Sequence, residues 1–165
     1  MSNLYDRYAV SSTTARNLLD RVKSDDDANL AWAAFHAHQA IELLLRHILN
    51  CRGVRYQHTH DIGELIGLAV NSGFEFPNID RAIMLSPNIT AWYNESRYSD
   101  EISASAELVK SAIMVLSSLN YAYLESTKKV SSVSSKVDMT ATWSVPGEGK
   151  KRSVSDILGQ AEGNR

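Results

Sequence analysis

Between Asp27 and Gly53 the chain places apolar side chains at spacings of three and four and contains neither glycine nor proline. Such a segment is too long for an ordinary strand, and its period is that of an α-helix. A helix of this kind must bury its apolar arc against other elements. The rest of the first 127 residues repeats the theme. Strict two-residue alternation is scarce, and the only prolines are Pro77, Pro87 and Pro146, none expected inside a long helix. No internal repeat is present.

Capping residues divide this stretch into helices. A first helix is predicted from Leu4 to Lys23. Asp25, Asp26 and Asp27 supply a cap and an acidic first turn for the second, which runs to Cys51 with Gly53 just beyond. Asp61 and Glu64 have capping-box spacing and open a short third helix that stops near Asn71-Ser72-Gly73. A fourth piece covers Asn78 to Leu85, and Ser86-Pro87 caps a continuation. Ser99-Asp100-Glu101 opens the last long helix, which ends near Ser126. The expected fold is all-α: an up-and-down bundle of four to five helices with an irregular C-terminal tail.

Charge marks the same division. Residues 1–127 carry 10 Lys/Arg and 15 Asp/Glu, whereas 128–165 carry 7 and 4. Lys128-Lys129 leads into a serine-rich run that reads as a linker. The predicted domains are a helical bundle over 1–127 and a tail over 128–165. In the tail, Met139 to Val145 is a candidate strand and Ser153 to Ala161 a candidate amphipathic helix.

At 165 residues the chain suits one ordinary domain. No run approaches the roughly 18 apolar residues of a membrane span. A single cysteine, Cys51, excludes a disulfide scaffold and a cysteine zinc site. The net charge of −2 leaves no global footprint for nucleic acid. With no signal-like N-terminus, a cytoplasmic protein is expected.

Chemistry-bearing residues cluster in three places. At about 100° per residue, His38 falls mid-way across the apolar arc of the second helix. Glu42 and Arg46 follow one and two turns on, making a polar track that leaves the core by its edge. The track reads either as a satisfied structural network or as a polar pocket or dimer seam. His36 and His47 fall on the far side and are expected to be solvated. Trp92-Tyr93-Asn94-Glu95-Ser96-Arg97-Tyr98 is the second cluster, where an arginine among aromatic rings can clamp a phosphate or stack on a base. Amides at the following helix start would add to such a site. Alternatively the rings are core and Arg97 pairs Glu42 or Asp61. The third cluster is Arg55-Tyr56-Gln57-His58-Thr59-His60-Asp61. Two histidines and an aspartate hint at a metal, but helix capping by Thr59 or Asp61, with His60 packing or hydrogen-bonding locally, is the stronger reading. The reading taken is no metal and no cofactor. Gly147-Glu148-Gly149-Lys150-Lys151 lacks the phosphate-loop pattern, and no nucleophile elbow occurs.

Ala37-His38-Gln39-Ala40-Ile41-Glu42-Leu43-Leu44-Leu45-Arg46 resembles the A-x-Q-A-x-E-x-x-x-K signature of HEPN-domain proteins. Tyr56 to Leu65 resembles their H-x-h-x-x-L segment, and Glu95-Ser96-Arg97-Tyr98-Ser99-Asp100 their x-x-R-Y-P-D. The likeness covers about residues 10–127, in order. It implies a bundle that commonly dimerises and a link to nucleotides, RNA or nucleotidyltransferase partners. Many such proteins are metal-independent ribonucleases and toxins carrying R-x4-6-H before the last helix. Here Arg97 matches the arginine, but no histidine follows. Histidine suits proton transfer near neutral pH, so the departure argues against the usual chemistry. Arg55-x4-His60 fits the pattern in the wrong place.

The resulting expectation is a non-catalytic module, a homodimer without membrane association. It would bind a nucleotide, RNA or a nucleotidyltransferase-type partner through Arg97, Tyr93, Tyr98, His38, Glu42, Arg46, His60 and Asp61. One alternative is a ribonuclease or toxin with displaced residues, His60 or His38 serving Arg97. Another is an adaptor docking through Val154, Ile157 and Leu158 of the tail.

Overall fold

The computed structural model describes residues 3–25, 27–99, 101–134, 142–144 and 151–153. Five helices follow in order: α1 (Leu4–Leu19), α2 (Ala28–Cys51), α3 (Ile62–Asn71), α4 (Ile79–Tyr98) and α5 (Ala106–Ser134). The chain divides into two compact units, Met1–Glu125 and Ser126–Arg165. In the second, β1 (Thr142–Ser144) pairs antiparallel with β2 (Lys151–Ser153), Trp143 opposite Arg152. β1 lies within the stretch expected to form a strand. The helix expected over Ser153 to Ala161 lies outside the described residues apart from Ser153, which closes β2. No helix among the described residues is long and apolar enough to cross a membrane.

The caps expected at Asp27 and Asp61 form. Asp27 accepts from the Asn29 amide, and Asp61 from the Glu64 amide. The amide hydrogen bonds to Asp27 hold its carboxyl below the ordinary aspartate range. α2 and α3 end alike. Gly53 and Gly73 take the left-handed conformation, with φ of 68° and 81°. Each donates to the carbonyl three residues back, while the amides of Val54 and Phe74 reach Leu49 and Ala69. A side chain would strain both turns.

α2 is the centre of the bundle and packs on α1, α3 and α4. More than half of its residues are buried, including Ala33, Ala40 and Leu44, which lie outside the single arc read from sequence. Ile41, Leu45, Ile48 and Leu49 join Ile62, Leu65, Ile66, Ile89, Trp92 and Leu116 in the core. α1 is tied to α5 by Tyr5 to Asn120 and Arg16 to Ser117.

Four boundaries differ from expectation. α1 ends at Leu19, short of Lys23, and the chain leaves it through tighter bonds from Arg21 to Leu18 and Val22 to Leu19. α4 is one helix through Pro87. Proline has no N–H for the carbonyl of Ile83, but the Ser86 hydroxyl donates to that carbonyl at 2.8 Å, which eases the break. α5 starts at Ala106 instead of Ser99. Glu95 accepts from both the amide and the hydroxyl of Ser103, holding the connection non-helical, and Ser105 accepts from the Leu108 amide at the true start. α5 also continues past Ser126 through Lys128 and Lys129 to Ser134. Serine and lysine are tolerated in helices, and no glycine or proline intervenes before Pro146.

α3 approaches α4 closely at Gly63. A Cβ there would lie 3.0 Å from the Ser86 hydroxyl and 3.2 Å from an Asp61 oxygen, whereas one at Gly67 would meet nothing within 4 Å.

Candidate functional site

The site is built on α2. Four-residue spacing puts His38, Glu42 and Arg46 on one face, and the 54–61 connection and α4 close over them. His38 is fully buried. Its Nδ1 lies 2.8 Å from the Ile89 carbonyl of α4, and its Nε2 lies 2.9 Å from Glu42 Oε2. His60 Nδ1 meets the same oxygen at 2.9 Å. Arg46 takes the other oxygen, Oε1, at 2.9 Å and donates to the Thr59 carbonyl at 2.7 Å, anchoring the connection to α2.

Burial pushes the Glu42 carboxyl up. Hydrogen bonds to His38 and His60 and the charge of Arg46 outweigh it, leaving the group below the ordinary glutamate range. A buried carboxylate is tolerable here because each oxygen has a cationic or N–H neighbour.

Tyr93 of α4 covers the cluster. Its ring stacks on His60 at 3.9 Å and 17°, and the Arg97 guanidinium sits 3.9 Å from the same ring centre. One ring face cannot hold both, so they occupy opposite faces. Phe35 and Tyr98 lie 5.6 and 5.2 Å from the Arg97 guanidinium, completing an aromatic frame. Arg97 Nε donates to the Tyr93 carbonyl. Among the described residues no carboxylate pairs with Arg97, and the ion pairs at the site converge on Glu42. The alternative pairing with Glu42 or Asp61 is therefore not made.

A pocket of about 240 Å³ opens over this floor. Six of its lining residues are basic: Arg7, Arg46, Arg97, His38, His58 and His60, against one carboxylate, Glu42. Arg7 of α1 could not be found from spacing, because nothing in the sequence says which α1 residue lies over α2. Gln39 also lines the pocket and accepts from Ser11 of α1. It was visible as part of the helical signature.

Six of the eight residues expected at the site, His38, Glu42, Arg46, His60, Tyr93 and Arg97, line this one pocket. Asp61 does not, and caps α3 instead. Tyr98 flanks Arg97 outside the pocket and is 79% exposed. Trp92 is core, fully buried. Arg97 lies in the last turn of α4, at the negative end of a helix, so the amides expected beside it from a following helix start are not there. His47 is not solvated: it packs between Tyr5 and Tyr123 and bonds the Tyr123 hydroxyl at 2.8 Å. His36 is half-buried, and burial pulls it below the ordinary imidazole range.

A family model described as HEPN domain matches residues 13–121, most of the helical unit. No curated protein and no solved structure gives a significant match.

Proposed function

We propose, for a chain that belongs to the HEPN domain family, that the pocket above Glu42 binds the phosphate of a nucleotide or of RNA. The observation that carries this is Arg97. Its guanidinium is held by three rings and by the Tyr93 carbonyl, and it has no carboxylate partner among the described residues. A guanidinium so placed keeps its terminal N–H groups for a planar two-point contact with phosphate. Arg7 and Arg46 line the same pocket and add positive potential. Tyr98, exposed beside Arg97, offers a face for a base. The module acts as a homodimer in this reading, and exposed Val10 and Tyr98 at the pocket margins supply apolar surface for a second copy.

Calorimetric titration with ATP, GTP and a short RNA tests the proposal. Saturable binding that Arg97→Ala weakens at least tenfold supports it. Heat from none of these ligands, with a folded protein, overturns it. Sedimentation velocity reads the dimer separately.

One observation favours a second reading, metal-independent RNA cleavage. The Glu42 carboxylate bonds His60 Nδ1, which orients the imidazole and leaves Nε2 for proton transfer, on the opposite side of Tyr93 from Arg97. Arg97 would then stabilise charge developing on the phosphorane. RNA loss during the titration that His60→Ala abolishes would establish cleavage; loss undiminished in that variant would exclude this version.

A further inference from the structure

We propose that His38, Glu42 and His60 form a binding site for a divalent transition-metal ion of the zinc class. Each of the three offers one donor atom, and these atoms all lie within 4.8 Å of one another. The hydrogen-bond geometry shows why a cation belongs among them. The Ile89 carbonyl can only accept, so His38 Nδ1, 2.8 Å away, must carry the ring hydrogen. In the neutral ring that leaves the Nε2 lone pair aimed at a carboxylate oxygen 2.9 Å away, in a fully buried position. Two lone pairs do not rest at that separation without a positive centre between them, either a proton or a metal ion.

His60 supplies the third donor. Its Nδ1 lies 2.9 Å from the same Glu42 oxygen. The tautomer with hydrogen on Nε2 turns the Nδ1 lone pair to the same point. Two imidazoles and one carboxylate on one side of an ion, with open positions toward a pocket of about 240 Å³, are the donor set of transition-metal sites.

The surroundings are those of a built site. The Ile89 carbonyl fixes the His38 tautomer and ring angle, as outer partners do for metal-binding histidines. Arg46 holds the second oxygen of Glu42, leaving Oε2 for the ion. Tyr93 stacks flat on His60 and fixes its ring plane. The charge balance selects the metal. One carboxylate beside a guanidinium is a poor site for magnesium or calcium, which want several oxygen ligands. Imidazole donors suit zinc, cobalt and nickel. The inference is independent of nucleotide binding.

The test titrates the full, untagged chain, stripped with chelator, with zinc alone and follows the cobalt form by visible absorption. One ion per chain is expected, weakened by more than about 100-fold in His60→Ala, a loss beyond that from removing an outer partner. Cys51→Ser should leave uptake unchanged. Should His60→Ala fold poorly, the histidine ring signals of the unmodified chain decide. Zinc should shift His38 and His60 while His36 and His47 stay in place. No saturable uptake would overturn the proposal and assign the position to a proton. Uptake that survives His60→Ala, disappears in Cys51→Ser, or shifts His47 alone would overturn it equally. Since zinc is the only probe, either result leaves the nucleotide reading to its own test.

Discussion

α2 carries two histidines that each face a polar residue one turn on, His38 with Glu42 and His47 with Cys51. Their surroundings are opposite. His38 sits in a network of carboxylate, guanidinium, carbonyl and second imidazole beneath an open pocket. His47 sits among the rings of Tyr5 and Tyr123, with the Tyr123 hydroxyl at 2.8 Å and Cys51 Sγ at 3.6 Å. Spacing along one helix fixes which side chains share a face. It does not fix what the other helices bring to that face. The 54–61 connection and α4 bring polar atoms to His38, whereas α1 and α5 bring rings to His47. The same pair of positions thus makes a polar floor in one place and packing in the other.

Breaking the polar side should cost most. Glu42→Ala leaves His38 buried and Arg46 unpaired, and a loss of about 3–5 kcal/mol is expected by chemical denaturation. A loss below about 1 kcal/mol would mean that water replaces the carboxylate and that the two sides are alike. On the aromatic side, Tyr5→Phe removes only the bond to Asn120 and should cost about 0.5–1.5 kcal/mol. Ligand titrations of that variant should match the unmodified chain.

Acid sharpens the contrast further. Burial holds His47 and His36 below the ordinary imidazole value of 6.5. The unfolded chain therefore takes those protons first, and stability present above that pH is lost as pH falls through the folded values. Glu42, held below its ordinary value of 4.5, acts the same way only in the lower window beneath it. A melting temperature followed from pH 7 to 3 should fall in two stages, with His47→Phe reducing the first and sparing the second. The smallest stability change belongs to Arg97→Ala. Its side chain is exposed and unpaired with any described carboxylate, so within about 0.5 kcal/mol is expected even where ligand binding is lost.

Much of this was legible from residue order. The period of α2, the caps at Asp27 and Asp61 and the stops at Gly53 and Gly73 depend on neighbours a few residues away, and all five formed. His38, Glu42 and Arg46 were legible for the same reason. What depended on which of several available bonds a polar side chain makes, or on residues brought from other helices, was not. Ser86-Pro87 looks like a helix start until the hydroxyl is seen bonded to Ile83. Ser99-Asp100-Glu101 looks like another until Glu95 is seen holding Ser103. Asp61 was singled out for chemistry and turned out to cap α3, since a cap and a ligand share the same residue type. Arg7 reaches the pocket only because α1 lies along α2.

The close approach at Gly63 sets a limit for anyone engineering heat resistance into this chain. Helical glycines are the usual targets, because alanine gains about 1 kcal/mol per site. Gly67, with nothing within 4 Å, is a sound candidate. Gly63 is not. An added methyl would crowd the Ser86 hydroxyl and the capping oxygen of Asp61, both already bonded, just after the loop that delivers His60. Two glycines in one short helix, equal in any propensity table, would send a design campaign in opposite directions.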